Sequence, residues 1–444
     1  MKKKELDSIK SKLLSRGFSL AKITLQAGTR AASHSLSQWA YSREEKDDRL
    51  SRYLTSQIQM LAGELGQLKG SLMKAGQLLS TYGEHFLPPE ANEVLKSLQY
   101  QSPPVKFALL QPVLVRELGE DKLAELEIDP KPFAAASLGQ VHRARRLKDG
   151  QELALKIQYP DVDKAIASDL RFLKLVLSTS KLIPRGPRFD QIFAEVKAML
   201  EQEVNYENEL NFTQDFADKL KEDPRYRVPQ VFPEYSGQRV LTTQFMEGLP
   251  SDNPEVLALP LERRNRLGQA YLELYLRELF DFACVQTDPH FGNYRIELDP
   301  EGLQDRLILL DFGAVRQVEP EFLKPYQRLV MAALNKDGLG VQRAGEDLGL
   351  LKDSDPPELV EKYLQLCFLI TEPFYGPEAY DWGSSDLPQR VAKVGADLVA
   401  SFHLRSPPHQ TVFLDRKLGG TFVFLSKLGC QAQFRSSFAP WITS

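Results

Sequence analysis

In the stretch QTDPHFGNYRI, residues 286–296, an aspartate at Asp288 stands five positions before an asparagine at Asn293. Eighteen residues after Asn293, the apolar run LILLDFGAV places a second aspartate, Asp311. Phosphoryl transfer from a nucleoside triphosphate asks a protein for positioning and for neutralisation of phosphate charge by Mg2+ and cations. Mg2+ takes oxygen ligands and is usually held by one or two side-chain oxygens, with phosphates and water filling the rest of its shell. An Asp, an Asn five residues on and then D-F-G is the catalytic-loop arrangement of a protein kinase. On this reading Asp288 orients or deprotonates an attacking hydroxyl or water, and Asn293 and Asp311 hold Mg2+. NYRIEL and DRLILLD supply two short strands between them, a hairpin that folds both metal ligands onto one ion.

The same chemistry needs a phosphate-covering loop and a lysine upstream. AAASLGQV offers the loop through Ala134, Ala135, Ala136, Ser137, Gly139 and Val141. Aligned to G-x-G-x-x-G-x-V, two of the three glycine positions are Ala134 and Ala136. Alanine carries a Cβ and does not reach positive φ cheaply, so the loop is stiffer and its amides meet phosphates differently. LALKIQ then places Lys156 where the strand lysine of V-A-I-K falls, in reach of the α- and β-phosphates. A helical carboxylate should partner it, and LEQEVNYENELNF offers Glu201, Glu203, Glu207 and Glu209. Spacing does not choose among them, although Glu203 and Glu209 lie roughly 120° apart on one continuous helix. VLTTQFMEG reads as an edge strand and hinge, with backbone groups near Gln244 to Met246 meeting adenine. A plain core strand would look the same.

These residues need elements to hold them. Residues 1–100 read as helical, with LAGELGQLKGSLMKAGQLLSTYG at helical spacing. Gly63, Gly66 and Gly70 share a stripe, and since each costs roughly 1 kcal/mol in a helix interior they suggest close approach of another backbone. FLPPE ends that helix, a short one follows through Leu98, and YQSPPVKF is a linker. Two alternating runs joined at Lys148-Asp149-Gly150 form a hairpin, a long helix covers about 189–221, and QRVLTTQFMEG is a further strand. From Leu261 onward the pattern is helical, apart from the hairpin between about Asn293 and Asp311. The expected fold is α+β, a two-lobed protein-kinase-like fold with an N-terminal helical extension. Its parts are an extension over 1–102, a β-rich lobe over 103–248 and a helical lobe over 249–444, with a cleft between the lobes.

Composition narrows the partners. A net charge of −4 gives no global basic field, so nucleic acid is not the expected partner. Three distant cysteines make neither a disulfide framework nor a metal spacing, which suggests a reducing compartment. No apolar run approaches the ~18 residues of a spanning helix. MKKKELDSIKSKLL carries Glu5 and Asp7 and reads as neither signal nor transit peptide. The span from Lys10 to Gln38 can be drawn as a basic amphipathic helix, serving either packing or a membrane surface. The expected location is cytoplasmic, peripheral on the inner membrane, without a transmembrane segment.

Together these motifs resemble the UbiB/ADCK family of atypical protein-kinase-like proteins. KAGQ, from Lys74 to Gln77, looks like the family's K-x-G-Q motif, and AAASLGQVH looks like its Ala-rich loop. LKIQYPDV is similar to its lysine strand, QTDPHFGN and LDFGAV to its catalytic and metal motifs, and SDLRFL leans towards the coenzyme Q kinase-like branch. The resemblance implies a kinase-like fold whose extension packs over the site of a protein substrate. It implies binding of ATP with Mg2+, unorthodox kinase or ATPase activity in support of ubiquinone biosynthesis, and association with membranes or a lipid-like polyprenyl-quinone precursor. It pairs Lys156 with Glu209 and makes Glu203 the Glu of an E-x-D motif. Asn205 replaces the Asp of that motif, which leaves open any charge contact between this position and the K-x-G-Q helix. Lys74 and Gln77 at i and i+3 share a helix face, with Gly76 permitting close approach, a face suited to plugging a phosphate-containing cleft. The C-terminal apolar spans of some bacterial members find no counterpart in TFVFLSKLGCQAQF, which is short and polar. Two other readings stand beside this one. A small-molecule kinase of the choline or aminoglycoside type shares the Asp-to-Asn spacing but lacks K-x-G-Q. A nucleotide-switched lipid-binding scaffold would turn over little ATP. The phosphate acceptor and a homodimer both stay open.

Overall fold

The computed structural model describes residues 71–83, 95, 104–136, 138–179, 187–376, 378–401 and 408–442. The basic helix expected over 10–38, the stripe of Gly63, Gly66 and Gly70, the FLPPE stop and Ser137 lie outside the described residues. The chain divides into two compact units. One runs to Asn211 and includes Val231–Phe245, and the other joins Phe212–Gln230 to Met246 onward.

The first unit is built on an antiparallel sheet ordered β1 (Leu126–Ala135), β2 (Gly139–Arg146), β3 (Glu152–Gln158) and β4 (Val240–Gln244). Alternation decides its faces. Leu153, Leu155 and Ile157 of β3 are fully buried with Leu110, Leu114 and Tyr235, while Ala154 and Lys156 point to the other side. The turn between β2 and β3 closes at Gly150, whose φ of +75° glycine adopts without a Cβ penalty. β1 is a strand that the sequence pattern hides, because it contains Pro130 and Pro132. It tolerates them as an edge strand, and its register slips between Ile128 and Pro132 and again between Pro132 and Ala134.

Beside the short helices Gln111–Leu118 and Glu120–Ala124, this unit holds α1 (Ser71–Gly83), α2 (Val162–Thr179), α3 (Pro187–Glu203) and the start of α4 (Tyr206–Leu220), whose remainder from Phe212 belongs to the second unit. α1 packs on α2 and α3 with Leu72, Ala75, Leu78 and Leu79 buried. The single long helix expected over 189–221 is instead two helices, broken at Val204–Asn205. The physical reason is a cap. The Asn205 side-chain oxygen accepts from the Asn208 amide at 3.2 Å, satisfying a first-turn donor of α4. Glu203 therefore ends one helix while Glu209 begins the next, so the expected angle between them on one continuous helix does not apply.

In the second unit, α5 (Leu261–Phe280) leads into β5 (Cys284–Gln286), β6 (Tyr294–Glu297), β7 (Arg306–Leu309) and β8 (Val315–Gln317). Then come α6 (Pro320–Leu334), α7 (Gly338–Asp347), α8 (Pro357–Thr371), α9 (Leu387–Ser401) and α10 (His409–Leu428). β6 and β7 form the antiparallel hairpin expected between the two metal ligands. The short strand Tyr226–Arg227 joins it parallel to β7, and Leu249–Pro250 joins it antiparallel to β6. β5 pairs with β8, a ladder of three residues on each side that periodicity cannot reveal. Leu272, Leu276 and Leu279 of α5, Trp382 and Phe422 sit in one apolar core. Cys284, Cys367 and Cys430 are buried and free, and burial pushes each thiol up to about 12.

Candidate functional site

The candidate residues fall in both units. In the first, strand register lines them up. Ala134 faces Val141, Val141 faces Lys156, and Lys156 faces Leu241, so this row crosses the sheet on one face. The Lys156 ammonium reaches both oxygens of Glu209 at 2.6 and 2.9 Å, and the Tyr206 ring lies 5.2 Å from Nζ. Glu209 is only 2% exposed, so its desolvation is offset by the lysine and by this two-point contact. Among the four glutamates that the sequence offered, Glu209 is the one on Lys156.

The alanine-rich stretch is the end of a strand and a tight turn. Ala135 pairs with Gln140, and the Ala136 amide donates to the Gly139 carbonyl at 3.0 Å. Gly139 has a packing reason of its own, since a Cβ there would lie 2.3 Å from the Ile157 carbonyl oxygen. Gln140 and His142, neighbours in the same motif, do structural duty. Gln140 exchanges two hydrogen bonds of 3.1 Å with the Val105 backbone, and His142 Nδ1 lies 2.7 Å from the Asp129 carbonyl. Gln244 ends β4, while Met246 opens the second unit's long run.

The K-x-G-Q helix α1 is fastened from within the first unit. Lys74 Nζ meets Glu203 Oε1 at 2.9 Å, with the two side chains 7% and 16% exposed. Gly76 beside it is buried and Gln77 is half-buried. Ser71 donates to Asp169 at 2.5 Å, and Asp169 belongs to the SDLRFL stretch on α2. The side-chain oxygen of Asn205 caps α4, a role that the Asp of E-x-D would also fill.

In the second unit backbone contacts set Asp288, Asn293 and Asp311. Thr287 donates twice to the Ala314 carbonyl, from its amide at 3.1 Å and its hydroxyl at 2.7 Å, tying the Asp288 loop to the segment after D-F-G. The Asp288 amide donates to Gln286 Oε1 at 3.1 Å, and the Asn293 side-chain amide donates to the Asp288 carbonyl at 3.0 Å. That last bond commits the Asn293 nitrogen and leaves its oxygen as the atom suited to a cation. Tyr294 pairs with Leu309, and the Leu310 amide donates to the Asn293 carbonyl at 3.0 Å. Asn293 thus stands opposite Leu310, one residue before Asp311. Asp311 Oδ1 accepts from the Gly313 amide at 2.9 Å, and Phe312 is buried against Phe216.

Sequence reasoning missed α10. Arg416 Nη2 donates to Asp288 Oδ1 at 2.8 Å. Beside it Lys417, 1% exposed, donates to the Tyr294 hydroxyl and lies 3.1 Å from Glu278 Oε2. Burial pushes the Glu278 carboxyl up against the pull of Lys417. One turn on, a Cβ at Gly420 would lie 2.2 Å from Pro289, so only glycine admits the catalytic loop there. Phe424 stacks on Phe291. The spacing 416, 417, 420, 424 is one helix face, and a basic pair before Gly419-Gly420 in an apolar helix was the available signal.

The oxygens of Asn293 and Asp311 fit a hard, small dication that completes its shell with phosphate and water. Among the described residues no group of three or more His, Cys, Asp or Glu forms a metal site by itself.

A strand lysine tied to a helical carboxylate, with Asp, Asn and D-F-G around a hairpin, defines the class as a kinase-like protein of atypical loop. The chain belongs to the UbiB/ADCK family, and the family's ABC1 atypical kinase-like domain matches residues 97–344. It is 31% identical over 397 residues to "Atypical kinase COQ8, mitochondrial" of Schizosaccharomyces pombe, covering 89% of this chain and 64% of that protein. It is 31% identical to the protein of the same name from Saccharomyces cerevisiae, covering 97% of this chain and 86% of the other. A solved structure described as the complex of Rv3197 with erythromycin, from Mycobacterium tuberculosis, matches with a TM-score of 0.58 at 25% identity, over 90% of this chain and 98% of that one. No helix among the described residues is long and apolar enough to cross a membrane.

Proposed function

We propose that the protein binds Mg-ATP and hydrolyses it or transfers its γ-phosphoryl group, in support of coenzyme Q biosynthesis at a membrane surface. The observation that carries this reading is the part-buried two-point pair of Lys156 and Glu209, which holds a cation on the same sheet face as Ala134 and Val141. Lys156 would meet the α- and β-phosphates, and backbone groups near Gln244 and Met246 the base. Asn293 and Asp311 would hold Mg2+, which when bound offsets phosphate charge. Asp288, held by its neighbours Gln286, Asn293 and Arg416, would orient the attacking oxygen and accept its proton. The COQ8 names of its relatives support the coenzyme Q assignment, with a polyprenyl-quinone precursor or the membrane itself as the lipid partner and a peripheral location.

Arg416 favours a second reading, a nucleotide-driven switch with slow turnover. A carboxylate paired with a guanidinium is a weaker base than one without a cation beside it. ADP release measured with and without anionic vesicles tests both. Vesicle-stimulated turnover that falls 10²- to 10⁴-fold in Asp288→Asn supports the enzyme reading. Mg-ATP binding without turnover on vesicles supports the switch, and absence of both removes the proposal.

A further inference from the structure

Asp288 stands on a stretch, 287–290, that belongs to no helix or strand, so its place depends on what the neighbouring residues are tied to. Those neighbours join a closed ring of buried polar groups. Lys417 of α10 and Glu278 of α5 lie 3.1 Å apart, with side chains 1% and 2% exposed. Lys417 donates to the Tyr294 hydroxyl at 3.1 Å. That hydroxyl lies 3.5 Å from Gln286 Oε1, which also receives the Asp288 amide at 3.1 Å. The ring closes on the backbone. Thr287 donates to Ala314 across the β5–β8 ladder, alternation turns the Gln286 amide the other way, and there it donates to the Glu278 carboxylate.

Stability alone does not ask for charges at these two positions. The attraction within a buried ion pair only roughly offsets its desolvation, and well-packed apolar side chains of similar volume often do as well. An apolar pair, however, has no atom to receive the Gln286 amide or to hold the Tyr294 hydroxyl. Both of those residues bear on the site. Gln286 holds the Asp288 amide, and Tyr294 directly follows Asn293. One position before Lys417, the same helix puts Arg416 on the Asp288 carboxylate. α10 thus acts on the loop through Gln286 and Tyr294 and on the acid itself through Arg416.

We propose that Glu278 and Lys417 are positioning residues for Asp288, acting through Gln286 and Tyr294 and touching neither nucleotide nor acceptor. The inference rests on the reading of Asp288 as the residue that orients the attacking oxygen. A displacement of about 1 Å at such a group costs about 10²-fold in rate.

Two charge-free double variants separate positioning from packing. Glu278→Gln with Lys417→Met keeps a side-chain oxygen for the Gln286 amide, and Glu278→Leu with Lys417→Met does not. The readouts are hydrogen exchange of the peptide spanning 284–296, by mass spectrometry, and ADP release from Mg-ATP with anionic vesicles present. In the Glu278→Leu double variant, exchange over 284–296 should rise about tenfold while α6 and α7 exchange as in the wild type. Its kcat should fall about 10²-fold with KM for ATP unchanged. The Glu278→Gln double variant should recover much of both. Tyr294→Phe removes only the hydroxyl in the ring and carries the test if a double variant loses its cooperative urea transition; it should raise exchange over 284–296 several-fold. Unchanged exchange over 284–296, a rise spread evenly over the second unit, or a wild-type kcat in the Glu278→Leu double variant overturns the proposal. Raised exchange confined to 284–296, in a protein whose wild type releases no ADP, upholds the positioning and overturns the enzyme reading instead.

Discussion

Lys74 and Glu203 are an ion pair with little access to water, so each charge helps to offset the other's desolvation. Removing one partner of such a pair takes away that offset, at a cost of about 3 kcal/mol. Lys74→Met should lower the stability of the first unit by that order, read as a shift in the urea midpoint. Glu203→Leu added to it should recover most of the loss. A single variant as stable as the wild type would mean the pair contributes nothing. The Lys156–Glu209 pair obeys the same physics with one carboxylate 2% exposed, which is why a lysine of this kind needs a dedicated glutamate. Arg416 is a different case. It sits 128 residues from Asp288, and no local pattern links the two.

At the scale of elements, Asn205 shows what one capping side chain does. Its side chain caps α4, the helix that presents Glu209 in its first turn. Asn205→Ala should cost about 1 kcal/mol, and Asn205→Asp, which keeps the cap, far less. Equal stability of both variants in a thermal melt would contradict the cap. The same break explains why the sequence suggested one helix over 189–221. Apolar spacing runs on through Val204, and a cap is a matter of side-chain geometry that periodicity does not carry. The β6–β7 hairpin was legible, because Asp, Asn and D-F-G fix its ends and its strands alternate. β1 was not, because Pro130 and Pro132 argue against a strand unless it lies at an edge, and edge position is a property of the sheet. The α10 face on the catalytic loop was also hidden, since Arg416, Lys417 and Gly420 acquire meaning only when helix and loop are brought together.

For the molecule as a whole, Asp415 ties stability to pH. Its carboxyl is pushed from an ordinary 3.8 up to about 7 by burial. Below about pH 4 the folded and unfolded states are both protonated at this group. Between there and 7 the folded state keeps a proton that the unfolded chain has lost, so this contribution falls as pH rises and is fully lost above 7. Tyr275, Tyr326, Tyr363 and Cys367, on which its charge acts, stay neutral throughout, because burial raises them too. The stability of Asp415→Asn relative to wild type should therefore grow from pH 4 to 7 and then level. A difference that does not change with pH would contradict a desolvated carboxyl at this position.

Nucleotide binding itself is tested most directly by thermal unfolding of wild type and Asp311→Asn with ATP, in Mg2+ and in chelator. At 100 times its dissociation constant a ligand adds roughly 2.7 kcal/mol, a rise of a few degrees for a chain of this size. The expected result is a rise that requires Mg2+ in the wild type and is lost in Asp311→Asn. A wild type that melts at the same temperature with and without Mg-ATP, or a variant that keeps the full rise, would contradict the assignment of Asp311 and the site built around it.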